Sequence, residues 1–512
     1  MILIESRLSL HSSRLIFFAL LLMFQGPSLV WGDIVSVQSG AWNDEATWSD
    51  RVPTADDRVV IVAGHTITIP PEGVTCRYLR SRTGETIWAA VDGRGSLTIT
   101  EGSRCSYIAF SNRGGIRVPM ASGGNVFFEH CTFRDQETLR IGTPLVTPTS
   151  AGITISHCDF RRVSGNGKQV NYIILIHGRQ GVHRGRLLID ANTFVGINGG
   201  QGLRIQRRDG AEIIGNVFID SSVLQLEHTG GTISSSGGHL LCGNLFAHIH
   251  DTSMKENHRV VYVIPGEQPI RIEENYIYDV HWNDHTITGG TTSGENIIRN
   301  NIFEYGPTTK EANAVSLAGV PLLVEGNILT GSATLVSNVG NHAGSHSTLV
   351  RRNIVYNTGM VVPGLFLSEN GLPSYPLHFV ENIVVGGRYA FFHNGNPPGR
   401  ARITHSDNNR FWNVEQPYHP SIMVIGEQRH DRKATDQALA DPHRGFLAYY
   451  AHITGGVISG AKAVTVEAAA DAFAAMNGYD DTDGRQKSAL PQYTPLQLHR
   501  WVAAGFRRKE ER

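Results

Sequence analysis

The chain has 512 residues, with 45 Lys and Arg against 46 Asp and Glu for a formal net charge of −1. No global field therefore draws it to nucleic acid or to an anionic membrane. Its five cysteines, Cys76, Cys105, Cys131, Cys158 and Cys242, are an odd number and include no CxxC pair, which argues against a complete disulfide framework and against a zinc finger.

Residues 1–32 read as a secretory signal. Arg7 and Arg14 precede the apolar run LIFFALLLMF, and Val30-Trp31-Gly32 offers a cleavage site before Asp33. The run is short for a membrane span, and no later stretch is long and apolar enough. A soluble exported chain is expected, secreted or periplasmic or at the cell surface, with no integral span. What remains is enough for one long solenoid plus caps.

Residues 33–125 are expected to form an N-terminal β segment. It opens DIVSVQSGAWNDEATWSDRVPTADDRVVIVAGHTITIP. The paired Trp42 and Trp48, the VPTADD turn and the strand pair VVIVAGHTITI resemble the opening of the G-eight domain, which in its family precedes β-helices in cell-surface hyaluronidases. On the residues alone, the two tryptophans plug the open edge of a strand stack; the alternative is an exposed Trp stacking on a sugar ring.

Residues 126–432 carry one short phrase eleven times. It is an apolar residue, two variable positions, Asn or Cys, one variable position, then Phe or an aliphatic. The central residues are Cys131, Cys158, Asn192, Asn216, Asn244, Asn275, Asn301, Asn327, Asn353, Asn382 and Asn409, at gaps of 24 to 34 residues. A period in this range marks stacked supersecondary units. Each unit holds short alternating stretches and no amphipathic helix, so each turn is built of strands that pair in parallel with those of the next coil. The position three before the central residue is apolar in ten of the eleven units, and the position two after it is Phe, Ile, Leu or Val in all. These two columns are expected to fill the core. The Asn residues are expected to take the left-handed bend at the corner themselves and to hydrogen-bond up and down a ladder. Cys131 and Cys158 hold ladder positions as free buried thiols, because parallel stacking sets their side chains alongside each other.

This phrase is similar to that of the right-handed parallel β-helix superfamily of pectate lyases and related polysaccharide-acting enzymes, over residues ~125–415. The resemblance implies an all-β fold, a right-handed single-stranded parallel β-helix of about eleven coils. Residues 433–512 are expected to close the C-terminal end with helices, because VTVEAAADAFAAM and TPLQLHRWVAAGF have helical spacing and Thr494-Pro495 suits a helix start.

A β-helix keeps its sites on outward strand faces, and charge indicates where. Residues 160–210 sum to +7, while residues 211–285 sum to −7 and hold seven His. Basic groups beside titratable ones suit an enzyme of an acidic polymer, unless the charges cancel locally between coils. Aligning GLRIQRR, VLQLEH, RVVYVIP and DHTITG turns Arg204, Gln225, Tyr262 and Thr286 outward. The catalytic candidates are Arg204, His228, Lys255, His258, Arg259 and Tyr262, on three adjacent coils. Arg207, Arg208, Glu227, His250 and His281 are candidates for holding substrate. HIHD and HWNDH make Asp251, Asp279 and Asp284 candidate metal ligands, with Ca2+ the cofactor considered; Glu273-Glu274 suits it less, since adjacent strand residues face opposite ways.

The expected activity is β-elimination on a uronic-acid polysaccharide. An Arg such as Arg204 or Arg259 would neutralise the sugar carboxylate, His258, His228 or Lys255 would take the C5 proton, and Tyr262 would protonate the leaving oxygen. The calcium-binding Asp set of pectate lyases is not recognisable here. Hydrolysis is the alternative, with Glu227, Glu256, Asp251 and Asp279 available as paired carboxylates. A non-enzymatic adhesive solenoid is the other, favoured by the Thr/Ser/Asn-rich residues 286–400. Nucleic-acid binding is not expected, because the basic patch lacks interleaved aromatics, and a monomer is.

Overall fold

The computed structural model describes residues 32–84, 86–120, 124–134, 138–143, 151–161, 172–177, 185–206, 210–227, 238–247, 260–263, 269–278, 285–290, 295–305, 312–318, 321–338, 347–357, 363–369, 376–394, 401–425 and 431–433. The expected signal at 1–32 and the helical segment at 433–512 therefore lie almost wholly outside the described residues.

The protein is an all-β parallel solenoid. Three stacks of strands run along it, and each strand pairs in parallel with its counterpart one coil on. In the first stack Val126–Glu129, Ile153–Ser156, Leu187–Asp190 and Ala211–Ile214 follow one another in register. In the second, Thr132–Arg134 pairs with Asp159–Arg161 and then with the start of Thr193–Gln206. In the third, Leu139–Ile141 pairs with Tyr172–His177, which pairs with the end of Thr193–Gln206. The first stack continues unbroken into the N-terminal segment through Leu97–Ser106, Val74–Arg82 and Arg58–Val62. Among the described residues the single helical turn is the 3-10 turn Glu45–Thr47, and no helix is long and apolar enough to cross a membrane.

Both apolar columns of the repeat face inward. Phe128, Ile155, Ile189, Ile213, Leu241, Ile272, Ile298, Val324, Val350 and Phe379 are buried on the first stack. On the second stack Phe110, Phe133, Phe160, Phe194, Phe218 and Phe246 form one file of rings, 4.4–5.1 Å apart and within 17° of parallel. Parallel register brings like residues over like, so a Phe repeated at one position becomes a stack of offset rings.

The corner between these stacks differs from the expectation. The left-handed residue is the one before each ladder position: His130, His157, Ala191, Gly215, Gly243, Glu274, Asn300, Gly326, Arg352, Glu381 and Asn408 all have φ between 51° and 63°. Six of these are neither Gly nor Asn, so the bend is held by the backbone bonds around it; Ala191, for example, donates its N–H to the Ile214 carbonyl of the next coil. The turn frees the ladder Asn to point inward, where it is buried. There each amide does three things. Asn301 donates Nδ2 to the Ile272 carbonyl of the preceding coil (2.8 Å) and to Asn327 Oδ1 of the next (3.0 Å). Its own Oδ1 accepts the backbone N–H and the Nδ2 of Asn275, both at 2.9 Å. The pattern runs from Asn192 to Asn409, and Asp431 accepts the last amide at 3.0 Å. Cys158 opens the series by donating its backbone N–H to Asn192 Oδ1. Cys131 and Cys158 are free and buried, as are Cys76 and Cys105. Burial pushes the Cys158 thiol well up, so it behaves as a small apolar group.

At the N-terminal end Trp42 and Trp48 are 1% and 4% exposed, with their rings 5.0 Å apart. Trp48 Nε1 donates to the Trp42 carbonyl. Both are core side chains, which excludes sugar stacking on their faces. The VPTADD turn is also structural. Asp57 accepts from Arg51 at 2.6 and 2.7 Å and from the N–H and hydroxyl of Thr54 at 2.7 Å. Burial alone would raise this carboxyl, but those donors outweigh it and hold it at about 2.

Candidate functional site

The outer face of the third stack carries the candidate site. Its register runs Arg117, Arg140, Leu175, Arg204, Gln225, Tyr262, Thr288 and Ser316, one residue per coil. Successive members are ~4.8 Å apart along the axis. Leu203, Ile205, Val261 and Val263 point into the core on either side, so alternation turns Arg204 and Tyr262 outward. Both are half-buried. Arg204 loses some of its hydration to burial, which lowers its pKa, yet a guanidinium stays charged across the accessible range. A partly desolvated cation interacts more strongly with a carboxylate than a fully hydrated one does.

Gln206 pairs with Glu227 on the same two strands. Arg204, the Glu227 backbone and Tyr262 thus lie on three consecutive coils, as the alignment predicts. The fourth member does not. Thr286 is buried, and its hydroxyl bonds Tyr305 Oη at 2.5 Å. Thr288 takes its place opposite Tyr262. The register there is two residues later than the alignment set it, because Ile287 rather than His285 fills the inward site opposite Val261. His228, Lys255, His258 and Arg259, the substrate candidates Arg207, Arg208, His250 and His281, and the metal candidates Asp251, Asp279 and Asp284 all lie outside the described residues.

Part of the charge contrast is cancelled between coils. Arg186, from the basic stretch, makes a bidentate pair with Glu212 of the acidic one at 3.1 and 2.6 Å. Glu273 sits between Arg271 and Arg299, each within 3.0 Å. Already neutralised, and with Glu274 turned away at the left-handed corner, it does not suit Ca2+. Among the described residues no group of three or more His, Cys, Asp or Glu is placed to hold a metal ion.

Arg117 and Arg140 are exposed members of the same column that sequence reasoning missed. The central Asn or Cys indexes the first two stacks well, since those strands adjoin it. The third stack follows a connection of variable length: Arg140 comes soon after Cys131, whereas Tyr262 follows Asn244 only after a long insertion. No fixed offset reveals the column.

No family model matches the chain, the G-eight-like opening included, and no curated protein is similar to it. Among solved structures it is similar to the periplasmic alginate epimerase AlgG, at 10% identity over 74% of this chain and 76% of that one, with a TM-score of 0.26. It is also similar to the A-module of the Azotobacter vinelandii mannuronan C-5 epimerase AlgE6, at 12% identity over 74% and 91% of the two chains, with a TM-score of 0.22. Similarity this distant says nothing of substrate or reaction.

Proposed function

We propose that the protein is an exported carbohydrate-active enzyme that cleaves a uronic-acid polysaccharide by β-elimination. The observation that carries this reading is the column placing Arg204, the Glu227 strand position and Tyr262 on three consecutive coils of one outer face. Elimination needs an anion-neutralising group, a base and an acid within one or two sugars of each other. Arg204 supplies the first by pairing with the C6 carboxylate, which acidifies the C5 proton. A base drawn from His228, Lys255 or His258 removes that proton. The C5–H electron pair becomes the C4=C5 double bond, and the C4–O bond breaks. Tyr262 donates its phenolic proton to the departing oxygen.

The test is ultraviolet absorbance of the purified protein with alginate, hyaluronan, chondroitin, pectate and ulvan, with and without Ca2+. A rise, lost by about a hundredfold or more in Tyr262→Phe, is the expected result. Reducing ends without absorbance would replace elimination by hydrolysis. Exchange of solvent deuterium into C5 without cleavage would mean that proton removal is followed by reprotonation instead. Retention of a glycan with no chemistry would make the protein an adhesive solenoid.

A further inference from the structure

Like charges stacked directly opposite on paired strands destabilise a sheet. Arg134 stands opposite Arg161 and Arg410 opposite Arg432 on the second stack, but much of the first stack avoids the arrangement. On the first stack the outward positions run Glu273, Arg299, Glu325 and Arg351 on successive coils. There Arg299 reaches Glu273 at 3.0 Å and Arg351 reaches Glu325 at 2.8 Å. Arg80 stacks on Arg104 near the N-terminal end, but Asp33 holds Arg80. The third stack makes the opposite choice. Arg117 and Arg140 stand on adjacent coils with no acid between them, both exposed, and neither forms an ion pair among the described residues. Beyond Leu175 the column resumes with Arg204. On the other side of Tyr262 it turns neutral at Thr288 and Ser316, which are almost fully buried.

We infer that Arg117 and Arg140 are subsites for successive carboxylates of a polyuronate lying along the solenoid axis, so that binding extends from the Arg204–Tyr262 position toward the N-terminal end only. The inference rests on the proposed function and adds polarity and length to it. Five coil steps separate Arg117 from Tyr262, about 24 Å. A 1,4-linked pyranose rises by close to one coil spacing, so the column takes a stretch of about five sugars. The chemistry then falls near one end of the bound stretch, and short oligomers bind without touching Arg117 or Arg140.

Calorimetric titration of the full chain with mannuronate and galacturonate oligomers of two to eight residues tests this. Affinity for one series should rise with length to about five residues and then level. The double variant Arg117→Gln/Arg140→Gln should bind the hexamer about tenfold more weakly, taking roughly two- to fivefold for each exposed ion pair lost. It should bind the dimer unchanged, and its melting temperature should not fall. An unaltered hexamer affinity, or an equal loss for dimer and hexamer, overturns the subsite assignment while leaving the proposed function standing. Failure of the unaltered protein to bind any oligomer overturns the proposed function itself. A DNA duplex that binds as tightly, and loses as much in the double variant, would show a general polyanion surface and overturn the assignment too.

Discussion

The outer faces of the first and third stacks are built on the same coils and the same ~4.8 Å spacing, yet they treat charge in opposite ways. On the first, Glu273, Arg299, Glu325 and Arg351 alternate in sign, so parallel stacking, which would pile like on like, becomes a file of neighbours that attract. On the third, Arg117 stacks on Arg140, and the electrostatic cost stays in the folded protein. A face whose charges satisfy each other has little left for a ligand. A face that leaves them unsatisfied costs stability and holds interaction energy in reserve. The contrast explains why net charge over a sequence window is a poor guide: Arg186 contributes to the basic window but is paired with Glu212, while Arg117 and Arg140 lie outside that window altogether.

Four experiments sharpen or break the comparison. The largest effect belongs to the ladder beneath the first stack, which sets the scale of a buried, satisfied group. Asn301→Ala removes an acceptor from the Asn275 backbone N–H and a donor from the Ile272 carbonyl, both buried. It should cost about 3–4 kcal/mol in chemical denaturation; a loss under 1 kcal/mol would mean that water or relaxation replaces the ladder. The next effect is a pH dependence. His239 is buried and its Nδ1 accepts from the Ala211 N–H at 3.2 Å, next to Glu212 of the first stack. Burial pushes its pKa down to about 4 from 6.5. A group depressed in the folded state is neutral there while the unfolded chain takes up a proton. Stability should therefore be complete above pH 6.5 and fall as pH drops toward 4, by about 3 kcal/mol. His239→Gln should flatten that window, and Asp57, held at about 2, should leave its own loss below pH 4.

Glu273→Gln leaves Arg271 and Arg299 without their shared partner, but both guanidinia reach water. The cost should be about 1 kcal/mol and should shrink in high salt. The smallest effect is expected on the third stack. Arg140→Gln relieves a like-charge contact and should change stability by about 0–0.5 kcal/mol, in the stabilising direction. A destabilisation as large as that of Glu273→Gln would show that Arg140 belongs to a structural network and would erase the difference between the faces.

Much of the fold is legible in the sequence, because the phrase around each central residue names two inward columns, and the columns are where the chain has least freedom. Phe133, Phe160, Phe194 and Phe218 announce a ring stack as soon as the units are aligned. The corner was legible in kind but not in place. Asn tolerates the left-handed region, so Asn301 attracts that assignment, yet Asn300 takes the bend and Asn301 is spent on the ladder. The candidate site is less legible for a geometric reason. Its strands come after connections whose lengths differ from coil to coil, and a two-residue slip keeps the alternation intact while putting Thr288 rather than Thr286 opposite Tyr262. Alternation fixes a side chain's face but not which rung partner it meets.

The amide ladder also has a direction. From Asn192 to Asn382 each Nδ2 donates toward the C-terminal end, to the Oδ1 of the next coil. The side-chain dipoles therefore add head to tail along the axis, as peptide dipoles do in a helix, and leave N–H groups facing outward at one terminus. The residue that receives them is Asp431, whose carboxylate accepts both the backbone N–H and the Nδ2 of Asn409, at 2.7 and 3.0 Å. A full negative charge thus stands at the positive end of an aligned array, the counterpart of an acidic residue in the first turn of a helix. The solenoid is polarised from within, and any break between coils would expose one donor end and one acceptor end that fit each other again.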